Sequence, residues 1–152
     1  MISVGGVRAV SSWQDELTIA AHGAEVRRAS DWLDAACRQH AVPRVQAERL
    51  EVCLNEVLAN VINHGGGTAL SSPICLLFDI TREQDGGKAG VTVSDAGLPF
   101  NPVSVAEKIF PKTLTEAVPG GLGLVMIRRF ADWLDYRHEN GRNHLTFGTR
   151  WS

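Results

Sequence analysis

LEVCLNEVLANVINHGGG runs from Leu50 to Gly67. Cys53, Leu54, Val57, Leu58 and Val61 recur at three- and four-residue intervals, the spacing of one apolar helix face. Three glycines then end the pattern, as glycine commonly does just past a helix. Beside the apolar stripe stand Glu56, Asn60 and His64, each four residues from the last, with Asn63 seven residues after Glu56. At about 100° per residue these four share one side of the helix. A carboxamide oxygen suits a hard cation such as Mg2+. A carboxylate one turn away can orient or deprotonate a nucleophile beside that ion. The same residues also make an ordinary solvated face, and His64 near the C-terminal end suits the helix dipole. Taken alone, the helix does not decide between these readings.

Working outward, Pro43 is placed for the first turn of this helix, which spans about residues 43–64. Before it, Val26, Ala29, Trp32, Leu33, Ala36 and Cys37 mark a first helix over 23–40. ELTIAA at 16–21 alternates like a short strand. Residues 1–15 then read as a short N-terminal extension of one domain spanning 1–152. After the glycines, PICLLFDIT (73–81) reads as a strand, Asp85-Gly86-Gly87 as a turn, and GVTVSD (90–95) as its return. Residues 103–119 hold a short helical candidate, VAEKIF, and a loop with Pro111 and Pro119. LGLVMIRRFADWL (122–134) is helical, and the chain closes as a hairpin turning at Gly141. This order, without regular βαβ alternation, predicts an α+β fold. It is a two-layer α/β sandwich whose mixed, mostly antiparallel sheet is covered on one face by helices.

Composition limits the function. Of 152 residues, 44% are hydrophobic and 21% charged, the balance of a globular domain with its own core. The net charge of -2 and the lack of a basic block argue against direct nucleic-acid binding. No apolar run approaches the ~18 residues of a membrane span, and MISVGGVRAVSSW does not read as a secretory leader. The three cysteines, Cys37, Cys53 and Cys75, match neither a disulfide framework nor a zinc pattern. They read as buried free thiols of a cytoplasmic protein.

Two further segments carry chemistry. SDAGLPFNP (94–102) places an acid at the end of a buried strand, where a carboxylate needs donors. PGGLGLVMIRRF (119–130) places Gly120, Gly121 and Gly123 at a helix start, where backbone N–H groups and the helix dipole favour a phosphate. A flexible turn before an amphipathic helix accounts for the same glycines.

In this fixed order, Glu56-x-x-x-Asn60, Asp95-x-Gly97 and Gly121-x-Gly123 resemble the GHKL ATPases, which share the Bergerat nucleotide-binding fold. NHGGG, DAGLPFNP, GGLGLVMIRRFAD and the ending YRHENGRNHLTF are similar to the anti-sigma factor serine/threonine kinases, the RsbW and SpoIIAB group. The resemblance covers about residues 16–150. It implies ATP and Mg2+ as cofactors. It also implies that Asp95 receives the exocyclic amine of adenine, that Gly97 lets the backbone pass close to the base, and that Thr146 helps bind adenine directly or through water. Asn60 would coordinate Mg2+, Glu56 would act as general base, and Gly121 and Gly123 would shape the phosphate site beneath a lid of residues 103–120. Two departures stand out. Pro99 replaces the second glycine of the wider DxGxG box, as is usual in this subgroup. EAVPGG (116–121) has no basic residue where sporulation-type members carry one, which leaves Lys112 in the lid as the nearest cation.

The implied function is a partner-switching serine/threonine kinase, a homodimer that phosphorylates a STAS-type anti-anti-sigma factor and in its other state sequesters a sigma factor. The competing reading is an ATP-binding switch that holds a partner with little or no phosphoryl transfer.

Overall fold

The computed structural model describes residues 9–99 and 121–152. The chain runs β1 (Ala9–Ile19), α1 (Gly23–Gln39), α2 (Arg44–His64), the single turn α3 (Gly67–Leu70), β2 (Ile74–Glu83) and β3 (Gly86–Asp95). It continues through α4 (Gly121–Phe130), β4 (Trp133–Glu139) and β5 (Arg142–Trp151). The strands form one sheet in the order β1-β2-β3-β5-β4. Every pairing among the described residues is antiparallel, so the expected mixed character is absent there. The two hairpins, β2–β3 and β4–β5, impose antiparallel pairing because their connections are too short for a crossover.

Alternation along the strands decides which face is covered. Phe78, Ile80, Val91, Val93, Leu145 and Phe147 are buried under the helices. They meet Leu50, Cys53, Leu54, Val57, Leu58 and Val61 of α2, the apolar stripe read from the sequence. α1 and α4 pack along α2, giving the two-layer α+β sandwich.

Three boundaries differ from the sequence reading. β1 begins at Ala9, so residues 9–15 of the expected extension are strand. AVSSWQD lacks clean hydrophobic alternation, but it pairs with β2 from Ala9↔Glu83 to Ile19↔Ile74. It is also anchored by Trp13, whose ring lies 4.2 Å from His40 and 5.9 Å, edge-on, from Phe78. Second, β3 starts at Gly86, so the glycines expected in the turn sit in the ladder, with Gly87 opposite Trp151. Third, α4 stops at Phe130 and Trp133-Leu134 belongs to β4. Asp132 N–H donates to Gly148 O at 2.8 Å, and Trp133 is the cross-strand partner of Gly148. A Cβ on Gly148 would come within 2.0 Å of the Trp133 ring, so only glycine lets the indole lie on the sheet. The closing hairpin turns at Asn140-Gly141, both at positive φ, as a two-residue turn of that sequence requires.

Cys37 and Cys53 are buried, but Cys75 is exposed, which corrects the reading of all three as buried. Burial pushes the Cys37 and Cys53 thiols up to about 12, with smaller contributions from Asp34 and Glu51 at Cys37 and from Glu56 at Cys53. Since the thiolate is the nucleophile, native protein at pH 8 should react with a thiol reagent quickly at Cys75 alone, with Cys37 and Cys53 reacting only on unfolding. Fast labelling of either buried cysteine would contradict the packing described for α1 and α2. Among the described residues no helix is long and apolar enough to cross a membrane.

Candidate functional site

The end of α2 and the end of β3 meet at a tight backbone seam. Gly65 caps α2, and its carbonyl accepts the Leu98 N–H at 3.1 Å. A Cβ on Gly97 would fall 2.8 Å from Asp95 Oδ1, 2.9 Å from Gly65 O and 3.2 Å from Ala69 Cβ. Gly97 therefore serves a close approach within the chain itself. Any side chain there would force apart the seam that joins NHGGG to DAG.

Asp95 is 7% exposed at the end of β3, on the helix-covered face. Its Oδ1 accepts the Gly97 N–H at 2.8 Å, an Asx turn in which the carboxylate holds its own backbone two residues on. The same oxygen accepts from Asn143 Nδ2 at 3.2 Å. Among the described residues no group donates to Asp95 Oδ2. With Oδ1 held in this way, Oδ2 is left as an acceptor that an amino group of a ligand could use.

On α2, Glu56 and Asn60 are half-buried, while Asn63 and His64 are exposed at its end. Asn60 Nδ2 is buried and has no hydrogen-bond partner. Five residues at 1.5 Å each put Asn60 about 7.5 Å along the axis from Gly65, and Glu56 one turn beyond. The acid–amide pair thus sits in the helical layer and Asp95 on the sheet face that this layer covers, and the Gly65–Leu98 bond joins the ends of the two segments. Gly121 and Gly123 fall in the first turn of α4, the helix start that the sequence predicts. α4 packs on α2, with Cys53 Sγ 3.9 Å from Ile127 O. The lid of residues 103–120, its VAEKIF segment and Lys112 lie outside the described residues.

Thr146 is not brought to this site. Its neighbours Leu145 and Phe147 point into the core, so Thr146 projects from the opposite face of the sheet. There its hydroxyl meets Thr92 Oγ1 at 2.8 Å. The β5 residue beside Asp95 is Asn143, its cross-strand partner, three positions earlier and of opposite parity. Sequence reasoning missed Asn143. The usable signal was parity: only odd-numbered residues of β5 share a face with Leu145 and Phe147.

Asp95 and Asn60 each present a polar group open to a ligand. Asp95 Oδ2 offers an acceptor to an amino group, and the orphaned Asn60 Nδ2 is a donor open to an acceptor of a ligand. Among the described residues no group of three or more His, Cys, Asp or Glu could hold a metal. Mg2+ needs no such group, since it is commonly held by one or two protein oxygens, waters and substrate phosphates.

A helical layer over an antiparallel sheet, with an acid–amide helix, a buried strand-end aspartate and a glycine-led helix, defines a nucleotide-binding domain of the kinase-like ATPase class. The family described as the histidine kinase-like ATPase domain matches residues 19–149, and the chain belongs to it. It is 28% identical over 138 residues to the serine/threonine-protein kinase BtrW of Bordetella bronchiseptica, covering 90% of this chain and 94% of that protein. Solved structures share its fold, two of them as follows. One contains the RsbU and RsbW domains of Rv1364c from Mycobacterium tuberculosis, with TM-score 0.57 and 15% identity over 88% of this chain and 32% of that larger one. The other is the SiaB-SiaC complex from Pseudomonas aeruginosa, with TM-score 0.52 and 13% identity over 95% of this chain and 91% of that one.

The metal reading gives a direct expectation. Asn60→Ala should weaken ATP binding in Mg2+ and change it little in EDTA, because only the ion-bridged contact needs the amide oxygen. An equal loss in both conditions would make Asn60 a packing residue and return the helix to its solvated-face reading.

Proposed function

We propose that this protein is a Mg-ATP-dependent serine/threonine kinase. It phosphorylates a serine on a STAS-type anti-anti-sigma partner, and in its other state it sequesters a sigma factor. The observation that carries this reading is Asp95, a buried carboxylate with one oxygen held by two donors and the other left for a ligand amino group. Membership of the kinase-like ATPase family and the similarity to a protein named as a serine/threonine kinase support the reaction type. The protein acts in the cytoplasm as a homodimer.

In this reading Asp95 binds the adenine amine and Asn60 holds Mg2+. The N-terminal turn of α4, with Gly121 and Gly123, receives the phosphates on its free N–H groups. An Mg2+ held by Asn60 would supply charge neutralisation at the phosphates. Glu56 takes the proton from the substrate serine Oγ as that oxygen bonds to the γ-phosphorus and the bond to the ADP oxygen breaks.

A second reading is favoured by one sequence observation: EAVPGG (116–121) carries no cation to stabilise the γ-phosphate. The protein would then be an ATP-dependent switch that holds its partner without transferring phosphate. One experiment separates the two. The protein is used to capture partners from its native extract with and without Mg-ATP, and phosphosites are mapped on what binds. Phosphoserine on a captured STAS-type protein supports the kinase. ATP-dependent capture with no phosphoserine supports the switch, and ATP-independent capture with none overturns both.

A further inference from the structure

We infer that Tyr136 is a positioning residue for base selection, acting through Asn143 on Asp95. This rests on the reading of Asp95 as the acceptor for a purine amino group.

Asn143 is 6% exposed and stands at the centre of a polar cluster. Its Nδ2 lies 3.2 Å from Asp95 Oδ1, 3.3 Å from Gly97 O and 2.9 Å from Leu98 O. All three are acceptors, so the amide has only one sensible orientation. Turning it over would set its oxygen against three oxygens. The opposite end of the amide is held from β4. Tyr136 O–H donates to Asn143 Oδ1 at 2.5 Å, and His138 Nδ1 lies 3.4 Å from the same atom. Tyr136 is paired with Leu145, two residues from Asn143 on β5, so its ring lies along the same face.

The chain Tyr136–Asn143–Asp95 has a consequence at the ligand end. With the amide oxygen held by Tyr136, the amide nitrogen must face Asp95 Oδ1. Gly97 N–H donates to the same oxygen at 2.8 Å, and together the two donors fix the plane of the carboxylate. Oδ2 is then presented in one direction as a pure acceptor. A base with an amino group at that point gains a hydrogen bond. A base with a carbonyl there meets oxygen with oxygen. Selection between the two depends on the carboxylate being held, and the tyrosine hydroxyl braces the far end of the amide that, with the Gly97 N–H, holds it. Tyr136 touches neither base nor phosphate in this arrangement.

Tyr136→Phe keeps the ring and removes the hydroxyl. Asn143 Oδ1 then loses its best donor, the amide is held from its nitrogen end alone, and its grip on Asp95 Oδ1 loosens. ATP and inosine triphosphate are suitable probes because they differ at the base in amino against carbonyl. Calorimetry in Mg2+ on folded protein, with thermal melting as a control for folding, should show Tyr136→Phe binding ATP about three- to tenfold more weakly, the scale of one net hydrogen bond. Inosine triphosphate should bind as it does to wild type, so the preference between the two contracts by the same factor. Thr146→Val, on the opposite face, should leave the preference unchanged.

A merely structural tyrosine would weaken both nucleotides together, and that result overturns the inference. So does an unchanged preference in Tyr136→Phe when wild type binds ATP normally, and in that case the adenine reading of Asp95 survives. Wild-type protein that binds neither nucleotide overturns the adenine reading itself, and this inference with it.

Discussion

Glu56→Gln should lower phosphorylation of the serine substrate by about 10²–10⁴-fold, the range attributable to a lost general base, while Mg-ATP affinity stays nearly constant. Glutamine keeps the shape of the side chain on α2 and removes its basicity. Glu56 is half-buried, one turn before Asn60 and close enough to raise the Cys53 thiol by its charge. It therefore belongs to the interior side of α2, and its loss should leave partner capture intact. The check is a comparison of phosphoserine formation rate with nucleotide affinity in the same preparation. A variant that phosphorylates at the wild-type rate would remove Glu56 from the chemistry. One that loses ATP binding in parallel would make it a binding residue.

Asp95→Asn should weaken ATP binding by roughly 1.5–3 kcal/mol, the scale of a lost hydrogen bond to a charged group. The surroundings make the prediction sharper. Gly97 N–H and Asn143 Nδ2 both donate to Oδ1, so an asparagine at this position must keep its oxygen there. Its NH2 group then takes the place of Oδ2. An amino group of adenine would face a donor instead of an acceptor, whereas the carbonyl of inosine triphosphate would face a partner. Calorimetry should show ATP weakened and inosine triphosphate strengthened, so that the preference inverts. Equal ATP affinity in the two proteins would exclude Asp95 from base recognition.

Much of the candidate site could be read along the chain. Glu56 and Asn60 follow from helical periodicity, which is local and survives without knowledge of what covers the helix. Asp95 is legible as an acid where an apolar strand ends, and Gly121 and Gly123 as glycines where a helix begins. The whole NHGGG–DAG pairing is less so, because the contact of Gly65 O with Leu98 N–H joins residues far apart in sequence. Trp133 is a clear failure of local reading. Its sequence continues the α4 pattern, but packing on Gly148 in β5 draws it into a strand.

What the sequence determined by itself is the order of elements, the apolar face of α2, the Asn140-Gly141 turn and the three motifs in their order. Each of these depends on short-range periodicity or on the φ preference of one or two residues. Only the tertiary structure decided the extent of β1, the role of Gly97 in the chain's own seam, and the choice of Asn143 over Thr146. The last has the clearest physical cause. Strand side chains alternate with period two, so a residue an odd number of positions away projects from the other face. Which parity of β5 meets Asp95 is set by its ladder with β3, with Asp95 opposite Asn143 and Thr92 opposite Thr146. That register comes from burying Leu145 and Phe147 against α2, a long-range packing choice that the local sequence around Thr146 does not contain.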